Sequence, residues 1–232
     1  METLQLFNIE LYYSTAVDTN SGVISIEGEE CKHILNVMRH NLDDEIYVTN
    51  GAGKIFTCQI TQINKKSLEA NIKNEFKYEE RFPKITFCIP VLRNNDRLEF
   101  ALEKCTELGV TNFIVYKAKR SVARGFNQKR IEKILTSAMK QSLLSWSSKI
   151  NFANSIEEFA SLPGDKIVFE QNSNLYFDNK ILKHDKNYLL VFGPEGGLTD
   201  EEFSSLGASD KYKLADNRLR SETAIMKAAS LL

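Results

Sequence analysis

The chain has 232 residues, of which 42% are hydrophobic and 26% charged, and its formal net charge at pH 7 is −1. This is the composition of a globular protein, and no stretch approaches the roughly 20 consecutive apolar residues that a membrane-spanning helix needs. The first 20 residues contain Glu2, Glu10 and Asp18 but no Lys or Arg, so they lack the basic start of a secretory signal. We therefore expect a cytoplasmic protein.

Cysteine and histidine spacings do not match a metal site. The four cysteines are separated by 27, 30 and 17 residues, which fits neither a CxxC pair nor a disulfide framework. We expect reduced and mostly buried thiols, and no bound metal. The residues concerned are Cys31, Cys58, Cys88 and Cys105, with His33, His40 and His184 as the histidines.

The first 75 residues or so predict a small β-rich module with one helix. Apolar and polar residues alternate at 23–28, 44–51, 54–63 and 67–73, as in strands with one buried face. Apolar residues at helical spacing predict a helix over 29–40. Residues 74–83 are charged and end in Pro83, which predicts a linker. We therefore predict one domain over 1–74 and a second over 75–232.

Beyond Pro83, predicted strands alternate with helices. This order indicates an α/β domain with a mostly parallel sheet covered on both faces. The predicted strands are 85–92, 112–117, 166–171, 187–193 and 211–215, and the predicted helices are 96–109, 127–146, 199–206 and one from about 218.

Charge is distributed unevenly along the chain. Residues 76–150 hold 15 Lys and Arg against 7 Asp and Glu, a net charge of +8, between segments of net −5 and −4. Clustered cations of this kind favour a polyanionic partner. A solvated helix face gives the same pattern, and the sequence leaves both explanations open.

A glycine-rich loop follows the predicted strand 187–193 and reads GPEGG at 193–197. Its glycines permit positive φ and close approach of main-chain N–H groups to a ligand at a helix start. No Gly-Lys-Ser/Thr follows, so it is not a P-loop. Thr199 and Glu202 have the spacing of a capping box. A simple tight turn is the alternative interpretation.

A second polar cluster precedes the last predicted helix and reads NRLRSETAIMKA at 217–228. Arg218 and Arg220 come just before small apolar residues suited to burial, where charge is costly without a ligand or partner. Ser221 as the N-cap of a purely structural helix is the alternative.

These two segments together, GPEGGLTDEE and LADNRLRSETA, resemble the paired signature of the RsmE family. Members of that family are bacterial methyltransferases that methylate N3 of a uridine in 16S ribosomal RNA. Three further segments resemble family motifs in the same order, namely CKHILNVMR at 31–39, EKCTELGV at 103–110 and KQS at 140–142. The resemblance covers nearly the whole chain.

The resemblance implies an N-terminal PUA-like β-barrel that binds RNA and a C-terminal SPOUT-type parallel sheet with a deep trefoil knot. It also implies a homodimer. A knot is not predicted by periodicity, since chains rarely thread loops.

S-adenosyl-L-methionine is the implied cofactor and 16S rRNA in the small ribosomal subunit the implied partner. Arg220 is implied to stabilise the anion that develops on the uracil, and Glu222 to orient that arginine or accept the proton. Implied cofactor-binding residues are Phe169, Glu170, Phe192, Gly193, Glu195, Gly196, Gly197, Leu214, Arg218, Leu219, Ser221 and Thr223. Implied RNA-binding residues are His33, Arg39, Arg93, Arg97, Lys104, Arg120 and Arg124.

One motif departs from the family pattern. The segment KQSLLSWSSKI at 140–150 lacks the arginine that members carry shortly after QS, and Lys140 or Lys149 would have to replace it. Two alternative functions remain at this point. One is a non-catalytic rRNA-binding or assembly factor, and the other is a SPOUT methyltransferase that acts on tRNA.

Overall fold

The structure is a computed structural model that describes residues 9–122, 125–208 and 210–232. The chain forms two compact units. The first contains the residues up to Glu80 together with Met139–Ser147, and the second contains Arg81–Ala138 and Ser148–Leu232. The domain boundary after residue 74 stays a prediction.

One six-stranded sheet organises the first unit. In space its strands follow the order β1-β4-β5-β6-β3-β2, and all neighbours are antiparallel except β1 and β4. The two shortest strands escaped the sequence analysis, because two or three residues cannot show alternation. The strands are β1 (Leu11–Tyr13), β2 (Val17–Asp18), β3 (Val23–Glu27), β4 (Glu45–Thr49), β5 (Lys54–Ile63) and β6 (Ser67–Lys77).

A short helix connects β3 to β4. It begins as α1 (Gly28–Lys32) and continues into a π-helical turn at His33–Val37. The predicted helix over 29–40 is therefore in the right place but ends earlier, and Arg39 has a φ of 61°. A left-handed residue of this kind commonly follows a helix end. Ile34 of the π-helical turn is fully buried in the apolar core of this unit.

The predicted linker 74–83 is wrong in its first part. Residues 74–77 belong to β6 and pair with β5, where Phe76 lies opposite Ile55. Alternating charged residues suit an exposed strand as well as a linker, so composition alone misled the prediction.

The predicted helix 127–146 is too long at its C-terminal end. The observed α3 (Gln128–Gln141) stops before Leu143, whose φ is 56° and whose N–H bonds to the Lys140 carbonyl at 3.0 Å. The following residues belong to the first unit. There, the Trp146 indole donates to the Tyr78 carbonyl at 3.0 Å.

The second unit contains a seven-stranded parallel sheet, in the order β11-β13-β10-β12-β7-β8-β9. The predicted α/β class is confirmed. Its strands are β7 (Ile85–Pro90), β8 (Asn112–Tyr116), β9 (Lys149–Ala153), β10 (Asp165–Phe169), β11 (Leu175–Tyr176), β12 (Tyr188–Phe192) and β13 (Lys211–Lys213). Besides α3, its helices are α2 (Asn95–Glu107), α4 (Glu157–Ala160), α5 (Asp200–Leu206) and α6 (Ser221–Ser230), with a 3-10 turn at Asn179–Ile181.

Helices cover both faces of this sheet, as predicted. Phe87 and Leu190 point to one face and pack in the cluster that includes Leu98 of α2 and Ile225 of α6. The intervening strand residues, such as Val191, belong to a second cluster with residues of α4 and α5. The central strands β7, β8 and β12 therefore bury both faces, which explains their nearly continuous apolar sequences.

All four cysteines are free and buried, as predicted. Burial raises the pKa of the Cys58 thiol to about 12, so this group stays protonated at neutral pH. None of the helices in the described ranges combines the length and apolar character that crossing a membrane requires.

Candidate active site

A cavity of about 680 Å³ opens at the carboxyl ends of β10, β12 and β13 in the second unit. Its walls come from the 170–174 loop after β10, from residues 193–199 after β12 (the glycine loop) and from residues 214–220 after β13 (the arginine loop). Parallel strands present their carboxyl ends at one edge, so loops distant in sequence converge there. Ligands of α/β proteins bind at this position.

The apolar part of the cavity consists of aromatic and aliphatic side chains. Phe169 and Phe192 end two adjacent strands and stack with ring centroids 4.8 Å apart. Leu214 is buried and Leu219 is half-buried in the arginine loop. Such a surface can accept a flat heterocycle without leaving its faces in water.

The glycine loop is held in a compact turn. The Gly197 N–H donates to the Pro194 carbonyl at 2.8 Å, and Gly197 has a φ of 71°, which L side chains rarely adopt. At Gly196 a Cβ atom would lie 3.3 Å from the Cβ of Arg120. Glu195 turns its carboxylate to the main chain of another loop, where its Oε1 accepts from the Arg93 N–H at 3.2 Å.

Two further contacts connect the glycine loop to the segment after β8. The Arg120 Nη1 donates to the carbonyl oxygens of Gly196 at 3.0 Å and Leu198 at 3.3 Å. Nearby, the buried Glu202 carboxylate accepts from the Lys119 N–H at 2.7 Å. The segment after β8 therefore bonds both to the glycine loop and to the first turn of α5.

The predicted capping box is confirmed. The Thr199 hydroxyl accepts from the Glu202 N–H at 3.2 Å, and the Glu202 carboxylate accepts from the Thr199 N–H at 2.8 Å. These bonds satisfy donors that a helix start leaves open, so they fix where α5 begins relative to the cavity.

The start of α6 brings a carboxylate close to the cavity. Glu222 is largely buried, and its Oε1 lies 3.5 Å from Nε of Arg97, which lines the cavity from α2. Arg218 and Arg220 of the arginine loop line the same cavity and are exposed. Three guanidinium groups thus line the cavity, and the buried Glu222 carboxylate lies next to the Arg97 guanidinium.

The outer side of the arginine loop has its own polar contacts. The Tyr176 hydroxyl donates to the Asp216 carboxylate, and Lys213 Nζ lies 3.1 Å from Asp216 Oδ1. Together these contacts hold the pKa of Asp216 below its usual value. Asp216 is exposed, so this arrangement orders the loop surface rather than a buried site.

The structure brings nearly all predicted cofactor residues to this cavity. Glu222 is not in the lining but contacts Arg97, which is, and Thr223 is exposed outside it. Lining residues that were predicted are Phe169, Glu170, Phe192, Gly193, Glu195, Gly196, Gly197, Leu214, Arg218, Leu219, Arg220 and Ser221.

Several lining residues were missed by sequence reasoning. Gln171, Asn172, Tyr212 and Lys213 also line the cavity, as does Arg97, which was predicted to bind RNA. Gln171 and Asn172 directly follow the predicted cofactor residues Phe169 and Glu170, and Tyr212 and Lys213 directly precede Leu214, so extending each predicted segment by two residues would have included them. Arg97 carries no such signal, because it lies on a helix and is 125 positions away from its partner Glu222.

Most predicted RNA-binding cations of the second unit already contact other residues. Arg97 contacts Glu222 and Arg120 contacts the glycine loop. Lys104 lies 2.8 Å from Glu103 and 2.7 Å from Glu107, which raise its pKa. The side chain of Arg93 is exposed. Arg124 lies outside the described residues.

In the first unit, the predicted RNA contacts are His33 and Arg39. His33 begins the π-helical turn, and its Nε2 lies 3.6 Å from the Glu10 carboxylate. Arg39 is exposed in a left-handed conformation, next to the exposed Val37 and Met38. Lys140, the candidate replacement for the missing family arginine, pairs with Glu30 at 2.8 Å in this unit.

Comparisons with known proteins agree with this architecture. A family model described as RNA methyltransferase domain matches residues 79–232, and one described as RNA methyltransferase PUA domain matches residues 26–73. Ribosomal RNA small subunit methyltransferase E of Bacillus subtilis (strain 168) is 30% identical over 226 residues, covering 90% of this chain and 88% of that protein. The protein of the same name from Rickettsia conorii is 25% identical, and the match covers 94% of this chain and 92% of that protein.

Solved structures share the whole fold. A probable rRNA-methyltransferase from Porphyromonas gingivalis has a TM-score of 0.82 at 26% identity, covering 96% of both chains. Ribosomal RNA small subunit methyltransferase E from Neisseria gonorrhoeae, solved bound to S-adenosyl methionine, has a TM-score of 0.82 at 24% identity and the same coverage. The resemblance found in the sequence is confirmed, and the chain belongs to the ribosomal RNA small subunit methyltransferase E (RsmE) family, with an N-terminal PUA domain and a C-terminal RNA methyltransferase domain.

Proposed function

We propose that the protein transfers a methyl group from S-adenosyl-L-methionine to N3 of a uridine in 16S rRNA of the small ribosomal subunit. The observation that carries this proposal is the convergence of the glycine loop and the arginine loop on one cavity in a chain of the RsmE family. Both segments that carry the family resemblance therefore contribute to the same site.

The residues at the cavity fit this cofactor. A volume of about 680 Å³ lies within the range of about 300–1,000 Å³ that is usual for small-ligand sites. Phe169, Phe192 and Leu214 offer an apolar surface for an adenine ring. The glycines leave space for close approach of the main chain, and the Glu170 carboxylate in the lining can accept hydrogen bonds from hydroxyl or ammonium groups.

When bound, S-adenosyl-L-methionine supplies a methyl group on a sulfonium, which makes the transfer an in-line displacement. The residues of this chain then have two tasks. They must hold the uracil ring in line with the methyl group, and they must stabilise the negative charge of a deprotonated N3. Holding the reacting atoms at near-attack distance can lower the barrier by about 7–11 kcal/mol.

Arg220 is the proposed stabiliser of the uracil anion. It is exposed at the cavity, so it can reach a base that enters from solvent. Glu222 is proposed to act in the same reaction, and its contact with Arg97 adds a second cation to this role. A carboxylate behind a guanidinium restricts its orientation and leaves its remaining donors for the substrate.

The PUA-like unit and the basic segment of the second unit are proposed to bind the ribosomal RNA. Arg39 in the first unit and Arg93 in the second are exposed and suited to phosphate contacts. We further propose that the protein works as a cytoplasmic homodimer and that the second domain contains the trefoil knot of its family.

Two measurements test the proposal. Calorimetry should show binding of S-adenosyl-L-methionine, whereas no binding would favour a non-catalytic assembly factor. Mass spectrometry of 16S rRNA from cells with and without the protein should show loss of one methyluridine at N3. Unchanged 16S rRNA together with a lost methyl group in the tRNA fraction would instead favour the tRNA enzyme.

A further inference from the structure

The arginine loop runs from β13 to α6 and lacks secondary structure of its own. Asp216, Asn217 and Arg218 are exposed, whereas Leu214 and Leu219 face the cavity. In the described part of the chain, the main-chain atoms of residues 215–219 form their hydrogen bonds with side chains. A side chain must therefore set the path of this loop.

Gln171 supplies most of these bonds. Its Nε2 donates to the Asn217 carbonyl at 3.0 Å and to the Ala215 carbonyl at 3.4 Å. Its Oε1 accepts from the Leu219 N–H at 3.4 Å. One half-buried amide thus bonds to three residues of a loop that lies more than 40 positions further along the chain.

The chemistry of these three bonds suits an amide. Two of the loop groups are acceptors and one is a donor, and the amide of Gln171 offers N–H donors and a carbonyl acceptor on one planar group. A carboxylate of the same length keeps the bond to Leu219 but places negative charge against two carbonyl oxygens. A leucine of similar size makes none of the three bonds.

The position of Gln171 connects two walls of the cavity. It follows Phe169 and Glu170, which line the cavity from the end of β10, and the Glu170 N–H donates to the Tyr212 carbonyl at 2.9 Å. The end of β10 is therefore bonded to β13 by this main-chain hydrogen bond and to the arginine loop by the Gln171 amide. A ligand between these walls meets a preformed surface only if the amide is in place.

We propose that Gln171 is a positioning residue, which holds Ala215–Leu219 in the conformation that binds the cofactor. This rests on the proposed function, since it assigns the cofactor to the same cavity. Gln171 acts through the loop and sets cofactor affinity, whereas the methyl-transfer step depends on the cations at the cavity mouth.

Gln171→Leu and Gln171→Glu test the proposal. By calorimetry at pH 8, we expect each variant to bind S-adenosyl-L-methionine about tenfold more weakly than the unaltered protein. The affinity falls because the arginine loop must then become ordered when the cofactor binds. The KM for S-adenosyl-L-methionine should rise by the same factor, while kcat at saturating cofactor should stay within about twofold. Unchanged affinity in Gln171→Leu, or a lost kcat with unchanged KM, would overturn the proposal.

The glutamate variant adds a measurement, the pH dependence of cofactor affinity, that a change in packing alone would not affect. When its carboxyl becomes protonated, it regains one O–H donor for the loop carbonyls. The affinity defect of Gln171→Glu should therefore shrink as the pH falls from 8 towards 5, while that of Gln171→Leu should not. A defect that is equal at both pH values would contradict the hydrogen-bonding role.

Gln62→Glu is a matched control. Gln62 is an exposed glutamine of the first unit, and its Nε2 bonds only locally, to Asn64 Oδ1 at 3.2 Å. This variant should bind the cofactor normally at both pH values. If the unaltered protein itself fails to bind S-adenosyl-L-methionine, the proposed function is wrong, whereas normal binding by all variants removes only the role of Gln171.

Discussion

Arg120 donates a hydrogen bond from Nη1 to the carbonyl oxygen of Gly196 at 3.0 Å, so a cation of the basic segment holds the glycine loop. A second bond from the same nitrogen reaches the Leu198 carbonyl at 3.3 Å. The two carbonyls flank Gly197, whose positive φ turns the chain. Arg120 was predicted to bind RNA, and these contacts show that it bonds to a loop that lines the candidate active site.

Arg120→Ala should therefore weaken cofactor binding. We expect S-adenosyl-L-methionine affinity to fall about tenfold in calorimetry, since the loop loses bonds from a charged donor. Arg93→Ala is the contrasting variant, because that side chain is exposed and only its main chain contacts Glu195. Arg93→Ala should keep its cofactor affinity. The slope of log RNA affinity against log salt concentration should fall in magnitude by about one. If Arg120→Ala instead keeps cofactor affinity and lowers the salt dependence of RNA binding, Arg120 binds RNA rather than supporting the cofactor site.

Arg220→Ala should separate binding from chemistry. Because Arg220 is exposed at the cavity mouth, its loss should leave cofactor affinity nearly unchanged. Methylation of a 16S rRNA fragment should fall by a factor of about 100 to 1,000, the usual cost of removing one group that stabilises transition-state charge. Single-turnover kinetics at saturating cofactor measures this directly, and unchanged turnover would remove Arg220 from the mechanism.

The sequence predicted the elements of the second unit well, for a physical reason. Strands such as β12 are buried on both faces, so their apolar runs stand out, and the capping box at Thr199 and Glu202 depends only on local spacing. The ends of β6 and α3 were misplaced, because charged strand residues and a left-handed Leu143 carry no distinct local signal.

The contacts that complete the site could not be predicted in the same way. Arg120 and Gly196 are 76 positions apart, and Gln171 and Ala215 are 44 apart, so only the parallel strand order brings them together. The resemblance to a family identified the two loops, but it did not indicate which side chains hold them. Arg97 and Glu222 illustrate the same limit, since Arg97 was predicted to bind RNA and Glu222 to act in catalysis, whereas Arg97 Nε lies 3.5 Å from Glu222 Oε1.

Tyr12 and Tyr188 should respond in opposite ways to loss of the hydroxyl. The buried hydroxyl of Tyr12 has no hydrogen-bond partner in the described part of the chain, so Tyr12→Phe should raise the free energy of unfolding by up to about 1 kcal/mol. The Tyr188 hydroxyl accepts from the Lys183 N–H at 2.9 Å, and Tyr188→Phe should cost about 1 kcal/mol. Urea denaturation of both variants provides the comparison.

The environment of Tyr12 also predicts a loss of stability at alkaline pH. Burial, with smaller effects from Glu10 and Glu30, raises the pKa of Tyr12 to about 12. The unfolded chain loses this proton near pH 10, before the folded chain does, so stability declines as the pH rises from about 10 to about 12. Tyr12→Phe should show a smaller decline in this window. Equal declines in both proteins would contradict the raised pKa.

Gly197 and Gly207 allow a matched test of the glycine loop. Both have left-handed backbones, with φ of 71° and 62°, so replacement by alanine should cost each about 1–2 kcal/mol of folding free energy. Only Gly197 lines the candidate active site, whereas Gly207 ends α5, and a Cβ added there would meet none of the described residues within 4 Å. Gly197→Ala should therefore weaken S-adenosyl-L-methionine binding at least tenfold, because relief of the strain moves main-chain groups that face the ligand. Gly207→Ala should lower the thermal unfolding temperature about as much as Gly197→Ala does. Its affinity for S-adenosyl-L-methionine should stay normal. Similar affinity losses in both variants would mean that general destabilisation, rather than the shape of the glycine loop, controls cofactor binding.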